Sequence, residues 1–152
     1  MTTSFSDVYS FFLSLVKDYR LNTLFNQSPT HIEFENYVEA WLMFAIRDFS
    51  ICDQSLAFVG KNFNITLDLK NILMLSQLMK KYWLEKEVND ITQMNLHVTD
   101  GDFKFFSEAQ NMQTKQAKYI EEKEEVSQLL VEYGLKYSTD WSSWFNQSFY
   151  VV

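Results

Sequence analysis

Residues 107–136 read SEAQNMQTKQAKYIEEKEEVSQLLVEYGLK and carry the strongest helix signal in the chain. Ser107 and Gln110 have the spacing of a capping box, in which each side chain caps the backbone amide of the other residue. No helix-breaking residue follows until Gly134, which we expect at the C-cap. The stretch therefore predicts one helix approaching 30 residues, or ~40 Å at 1.5 Å per residue.

The middle of this predicted helix is polar. Apolar residues cluster at its two ends, whereas residues 113–125 offer only Ala117, Tyr119 and Ile120. A helix this long and this polar in its middle is unlike one buried on all sides in a 152-residue core. We therefore expect the middle of the helix to leave its own core.

Two shorter helices are predicted before residue 50. The first carries apolar residues at helical spacing: Phe5, Val8, Phe12, Leu15 and Tyr19. Residues 22–29 are polar and hold the one proline, so they predict a loop. Thr30 and Glu33 then match a capping box that opens the second helix. Its inward stripe is Phe34, Val38, Trp41, Leu42, Ala45 and Phe49.

A third helix is predicted from a cap at Thr66 to about Asn89. Its apolar face carries Leu69, Ile72, Leu75, Met79, Tyr82 and Trp83. Between the second and third helices, residues 50–64 have no clear period and predict a connecting loop. A short strand pair around the turn at Gly60 is left open.

Composition agrees with one helical domain. Three glycines and one proline are too few for the turns of a sandwich or barrel, and the single cysteine excludes an intramolecular disulfide or a zinc finger. The predicted fold class is therefore all-α, with four main helices including the long penultimate one. Residues 1–137 form a single domain, and residues 138–152 form an aromatic tail.

Charge and hydropathy exclude several function classes. The net charge of −7 argues against a basic nucleic-acid reader, because neutralising phosphates requires a patch of Lys and Arg. No apolar run approaches the ~18 residues of a membrane span, so no membrane partner is expected. The first residues lack the basic region of a signal peptide, which predicts folding in a cytoplasm.

No set of catalytic or metal-binding residues emerges. The acidic cluster Glu121, Glu122, Glu124 and Glu125 is predicted to be a solvated face rather than a metal site, since no histidine lies near it. His31 and His97 lie in no nucleophile motif, and Cys52 is expected to be a buried, inert thiol. We therefore expect a protein that is not an enzyme and carries no cofactor.

The tail, residues 138–152, reads STDWSSWFNQSFYVV and contains seven large apolar residues in fifteen. Such a segment either folds back on its own domain or docks on another chain, because exposed apolar patches mark interaction sites. Tryptophan and tyrosine are also common interface anchors. The expected partner-binding residues are Trp141, Trp144, Phe145, Phe149 and Tyr150.

The order of elements from residue 67 to residue 137 resembles a known family. Residues 73–84, LMLSQLMKKYWL, are followed by residues 99–107, TDGDFKFFS, then by the long polar helix and the Tyr-rich end YGLKY at 133–137. This order is similar to that of the small head-to-tail connector, or neck, proteins of tailed bacteriophages. The step DFKFFS at 102–107 is the most specific piece, and the resemblance covers about half of the chain.

The resemblance implies a structural virion protein, made in the host cytoplasm and located in the neck between capsid and tail. It would form a ring with other copies of itself, commonly twelve, on the portal protein. It would also bind another neck or tail protein while DNA passes through the lumen. The subunit seam or lumen is then expected at Gln113, Gln116, Lys118, Glu121 and Glu125. The alternative is a small helical binding module or regulator whose tail packs on its own core.

Overall fold

A computed structural model describes residues 2–16, 18–27, 29–97 and 102–137, with the side chains of 91–112 left out. Within these ranges it contains five α-helices and one two-stranded sheet, which confirms the all-α fold with one helix more than expected. The elements are α1 (Phe5–Leu15), α2 (Tyr19–Gln27), α3 (Ile32–Asp48), β1 (Phe58–Val59), β2 (Asn62–Phe63), α4 (Leu69–His97) and α5 (Asp102–Tyr137).

Helix α4 is the centre of the molecule, since α1, α3 and α5 each pack against it. The pairs Asn71–Tyr133, Lys80–Glu122 and Glu87–Lys115 show that α4 and α5 run antiparallel. The side chains most deeply buried in the core are Tyr9, Phe5, Phe12, Phe34, Phe49, Phe63, Leu42, Leu75, Leu78, Met79, Val8 and Val38. The largest of them are aromatic, which explains where much of the aromatic content of the sequence goes.

The predicted first helix is too long, because the helix ends at Leu15. Ser4 and Asp7 form a capping box at its start, and Val16 adopts an extended conformation at its end. Tyr19 therefore begins α2, which runs through most of the predicted loop at 22–29. The Asp18 carboxylate caps α2 by accepting from the amides of Arg20 (2.6 Å) and Leu21 (3.2 Å).

All six residues of the predicted second stripe are buried, so that prediction is confirmed. The cap prediction at Thr30 is wrong, because the N-cap of α3 is His31 in the left-handed conformation, with φ 52°. The His31 ring stacks on Phe25 with centroids 3.9 Å apart, and its Nδ1 lies 2.6 Å from the Phe25 carbonyl oxygen. His31 thus has a structural role in the tight connection from α2 to α3.

The loop at 50–64 contains the short strand pair that the sequence left open. Gly60 makes its turn with φ +59°, a conformation that side-chain-bearing residues rarely adopt. Backbone hydrogen bonds attach this hairpin to the start of the chain, from Phe5 to Lys61 (2.9 Å) and from Phe63 to Thr3 (2.9 Å). The hairpin therefore holds the N-terminal cap of α1 in place.

Helices α4 and α5 are both longer than predicted. Helix α4 begins at Leu69, where the Asp68 carbonyl accepts the first amides, rather than at Thr66, and it continues past Asn89 to His97. Helix α5 begins at Asp102, so Ser107 lies inside it. Gly134 is not a C-cap, because the chain stays helical to Tyr137. Residues 98–101, between α4 and α5, lie outside the described residues.

Candidate docking surface

A groove of about 390 Å³ lies between the first turns of α4 and the last turns of α5. Its lining is mainly apolar, and two lysines and one glutamate contribute to it. The lining residues are Lys70, Leu73, Met74, Gln77, Leu129, Glu132, Tyr133, Lys136 and Tyr137. Leu73 is 39% exposed, although it belongs to the most apolar part of α4. The groove is thus a surface where another apolar segment would bury area.

A polar cluster closes one end of this groove and joins three parts of the fold. The Tyr133 hydroxyl on α5 accepts from the Asp53 amide (3.1 Å) and shares its proton between Asp53 Oδ1 and Asn71 Oδ1. The Asp53 carboxylate also accepts from Lys70 Nζ (2.5 Å) and Asn71 Nδ2 (3.0 Å). The cluster therefore ties the end of α5 to the 50–57 loop and to the start of α4.

The electrostatics of the cluster fix its protonation. Hydrogen bonds from Lys70 and then Tyr133 hold the pKa of Asp53 at about 2. Burial and the Asp53 hydrogen bond raise the pKa of Tyr133 above its usual range, so its hydroxyl stays a donor. Burial also raises the pKa of the Cys52 thiol, which lies 3.9 Å from that hydroxyl. A protonated thiol and a neutral phenol are poor nucleophiles, so the cluster is suited to holding structure rather than to chemistry.

The last turn of α5 is fixed at Tyr137. Its ring lies 4.9 Å from the ring of Tyr133, and Lys70 Nζ lies 3.7 Å from its centroid. A lysine over an aromatic face is held by a cation–π attraction. The point where the tail begins is therefore positioned at the groove. The predicted anchors Trp141, Trp144, Phe145, Phe149 and Tyr150 lie outside the described residues.

The five predicted seam or lumen residues are all exposed on α5: Gln113, Gln116, Lys118, Glu121 and Glu125. At about 100° per residue they spread around more than half of the helix circumference. The side of α5 turned away from α4 also carries three exposed apolar residues, Ile120 (50%), Val131 (62%) and Leu135 (57%). Over residues 113–137, α5 thus has one face packed on α4 and a mixed polar and apolar face turned outward.

Glu122 departs from the predicted solvated acidic face. Its side chain is buried, at 5% exposure, and forms an ion pair with Lys80 of α4. It lies one helical turn before the buried Val126, which places it on the inward side of α5. Glu121, Glu124 and Glu125 are exposed as expected. Because four of the five residues at 121–125 are glutamate, the sequence pattern does not indicate which of them faces inward.

Two further grooves, of about 380 and 560 Å³, share Lys86 and Asp90. Exposed aromatic rings lie beside cations here, a combination that suits stacking on bases. However, Lys86 bonds Asp90 (2.9 Å), and Arg47 and Lys81 both bond Asp48 (3.0 and 3.2 Å). These cations are already paired with carboxylates, and four acidic residues also line the two grooves: Asp18, Glu85, Glu87 and Asp90. This arrangement disfavours phosphate binding.

Sequence reasoning missed the groove and the polar cluster. Asp53 and Tyr133 are 80 positions apart, and nothing in the local pattern of either residue identifies the other. The available signal was Lys70 and Asn71 in the first turn of an apolar helix, together with Tyr133 and Tyr137 one turn apart. Those positions indicate polar groups that need partners, but not which partners.

Comparison of the chain with protein-family models, with curated proteins and with solved structures finds no match. Among the described residues there is no group of three or more His, Cys, Asp or Glu side chains placed to hold a metal ion. In the same ranges, no helix has the length and apolar character needed to cross a membrane.

Proposed function

We propose that this chain is a structural subunit of the head-to-tail connector of a tailed bacteriophage. In this proposal, copies of the chain form a ring on the portal protein, and the aromatic tail contributes to binding the portal, a neighbouring copy or another neck protein. DNA passes through the lumen of the ring in transit. The protein performs no reaction and needs no cofactor.

The observation that carries the proposal is the two-sided character of α5. One side packs on α4 along the length of the described part, while the other presents exposed glutamates and glutamines beside Ile120, Val131 and Leu135. A closed ring requires each subunit to offer an extended face to its neighbour through a heterologous interface. The outward side of α5 is long enough and mixed enough in chemistry to serve as such a face.

The net charge of −7 supports a passage for DNA rather than a site that holds it. Carboxylates along a lumen repel phosphates, so the duplex would slide without being bound. Ion pairs with carboxylates neutralise Lys81, Lys86 and Arg47. This pairing weakens their attraction for DNA phosphates and so also supports passage rather than binding.

The proposal is tested by the mass of the assembled particle. The purified chain is measured by mass photometry alone and with the portal protein of the same virus, and rings are sought by electron microscopy. We expect a discrete ring close to twelve times the mass of the 18.1-kDa chain. A chain that stays monomeric or dimeric in both conditions would contradict the proposal.

One observation favours the alternative of a small binding module whose tail packs on its own core. The apolar groove at the end of α5 lies beside Tyr137, where the tail begins. In such a module the tail would be part of the stable monomer and would bind no further chain. Particle mass separates the two functions, because a module of this kind forms no closed ring.

A further inference from the structure

The apolar groove between α4 and α5 adjoins the start of an apolar segment. Tyr137 is both the last residue of α5 and part of the groove lining. The fifteen residues that follow contain seven large apolar side chains and one charged side chain, Asp140. In a free subunit such a segment gains by covering its aromatic rings, since each can bury 150–250 Å². The groove is the apolar surface that Tyr137 itself lines.

We propose that in the free subunit this groove binds residues 138–152 of the same chain. Tethering favours the chain's own tail over that of a second copy, because a short linker gives an effective concentration in the millimolar range. The contact itself does not depend on ring formation. Its role, which is to cover the tail until assembly releases it to a partner, rests on the proposed function.

The length of a chain reversal and the length of the groove together indicate which tail residues reach the groove. A chain reversal takes about four residues, so a turn over 137–140 leaves Trp141 as the first residue able to lie in it. The groove extends along α5 from Tyr137 to Leu129, which is about 12 Å at 1.5 Å per residue. Four or five extended residues cover that distance. Trp141 and Phe145 share a side whether the segment is extended or helical, so they are the anchors.

The groove also offers a hydrogen-bond acceptor. The Gln77 side-chain oxygen is buried and has no hydrogen-bond partner among the described residues. A buried acceptor without a donor is destabilising, so a donor that reaches it is favoured. The tryptophan indole N–H can only donate, which makes Trp141 complementary to this oxygen. At the edge of the groove Lys136 is exposed, four positions before Asp140.

The test uses the full chain labelled with 5-fluorotryptophan, without any partner protein. The ¹⁹F resonance of Trp141, assigned by its loss in Trp141→Phe, is compared with its position in the urea-unfolded chain. We expect the native resonance to be displaced from that position and to stay unchanged on dilution. Leu73→Lys, which places a charge in the groove, should return it to the unfolded position. The control Leu69→Lys changes an exposed residue outside the groove on the same helix and should leave it displaced.

Each other outcome overturns the proposal. A native Trp141 resonance at the unfolded position means that the tail is not docked, and one that Leu73→Lys leaves unchanged means that it docks elsewhere. A displacement that disappears on dilution identifies a second copy as the occupant. If Leu73→Lys fails to fold by circular dichroism, Leu73→Ser and Phe145→Ser replace it. Because the measurement uses the free subunit, failure of ring assembly would leave it unaffected.

Discussion

The Tyr133 hydroxyl is the group that holds the end of α5 to the rest of the molecule. It lies among Asp53, Asn71 and Cys52, and the Tyr133 ring packs edge-on against Phe49 with centroids 4.8 Å apart. Asn71 is fully buried, so its amide depends on partners inside the protein. One phenol therefore serves both the apolar core and the polar cluster.

Tyr133→Phe should lower the free energy of unfolding by about 1–3 kcal/mol, because it removes the donor of the buried Asn71 oxygen while keeping the ring. For a domain of this size, that corresponds to a fall in Tm of about 2–4 °C per kcal/mol. Differential scanning calorimetry measures it. The control is Tyr137→Phe, which keeps the ring that Lys70 faces. Equal Tm values for both variants would contradict the role of the cluster.

The pKa of Asp53 predicts how acid affects stability. Its folded pKa of about 2 lies below the usual 3.8, so the stabilisation that it contributes is present above about pH 4 and is lost as the pH falls toward 2. Asp53→Asn should therefore be less stable than the wild type at pH 7, and the difference should shrink between pH 4 and pH 2. Urea unfolding across this range measures the difference. A constant difference would contradict the assigned pKa.

Two glycines, one in α5 and one in the hairpin turn, should respond to alanine in opposite directions. Gly134 lies inside α5, and an added Cβ would make an ordinary contact with Ile51 Cδ1 at 3.5 Å. Gly134→Ala should therefore stabilise the protein by about 0.5–1 kcal/mol, as expected in a helix interior. Gly60→Ala should destabilise it by about 1–2 kcal/mol, because its φ is +59°. If Gly134→Ala instead destabilises the protein, the helix ends at Gly134 as the sequence suggested.

At the level of elements, the apolar periodicity of α3 was enough to place its core stripe, because one side of that helix faces the core. The break between α1 and α2 was not predicted, and neither was the helix at residues 22–27, because α2 fully buries only Leu21. Leu24 and Phe25 are partly buried against the core, and the polar residues around them reflect exposure rather than a loop. Helices α4 and α5 also extend past their predicted bounds, which the local sequence signals at Asn89, Ser107 and Gly134 did not reveal.

The Lys80–Glu122 ion pair links the middles of α4 and α5 and gives a prediction for that pair of helices. Glu122→Ala should cost about 3 kcal/mol, because Lys80 loses its partner in a largely buried position. The double variant Lys80→Met/Glu122→Leu should recover most of that loss, since well-packed apolar residues often replace a buried ion pair without cost. Urea unfolding of the wild type, Lys80→Met, Glu122→Leu and the double variant measures the coupling. A double variant as unstable as the sum of its singles would show that the two residues act independently.

At the level of the whole molecule, composition predicted the fold class, because few glycines and prolines and one cysteine leave helices as the main option. The surfaces were harder to predict. Which side of α5 faces outward depends on its register against α4, and that register is set by contacts such as Lys80 with Glu122 and Asn71 with Tyr133. The groove needs the same register and the fold of the 50–57 loop. Both features are therefore properties of the assembled chain rather than of any one segment.

The proposed ring predicts that charge on the outward side of α5 controls assembly but not folding. Glu121→Lys and Glu125→Lys each reverse the charge of an exposed side chain, so each should change the free energy of unfolding by less than about 0.5 kcal/mol. In a seam, the same change places a wrong charge against the neighbouring subunit at every contact around the ring. We expect assembly at least tenfold weaker, which is about 1.4 kcal/mol per contact.

The control for this seam is Glu33→Lys, an equal charge reversal in the first turn of α3. Mass photometry of each variant with the portal protein gives the fraction of chains in rings, and circular dichroism confirms the fold. Loss of rings in both α5 variants but not in the control would locate the seam on α5. Equal assembly of all three variants would place the subunit contacts elsewhere on the molecule, and the outward glutamates would then be free to line the lumen.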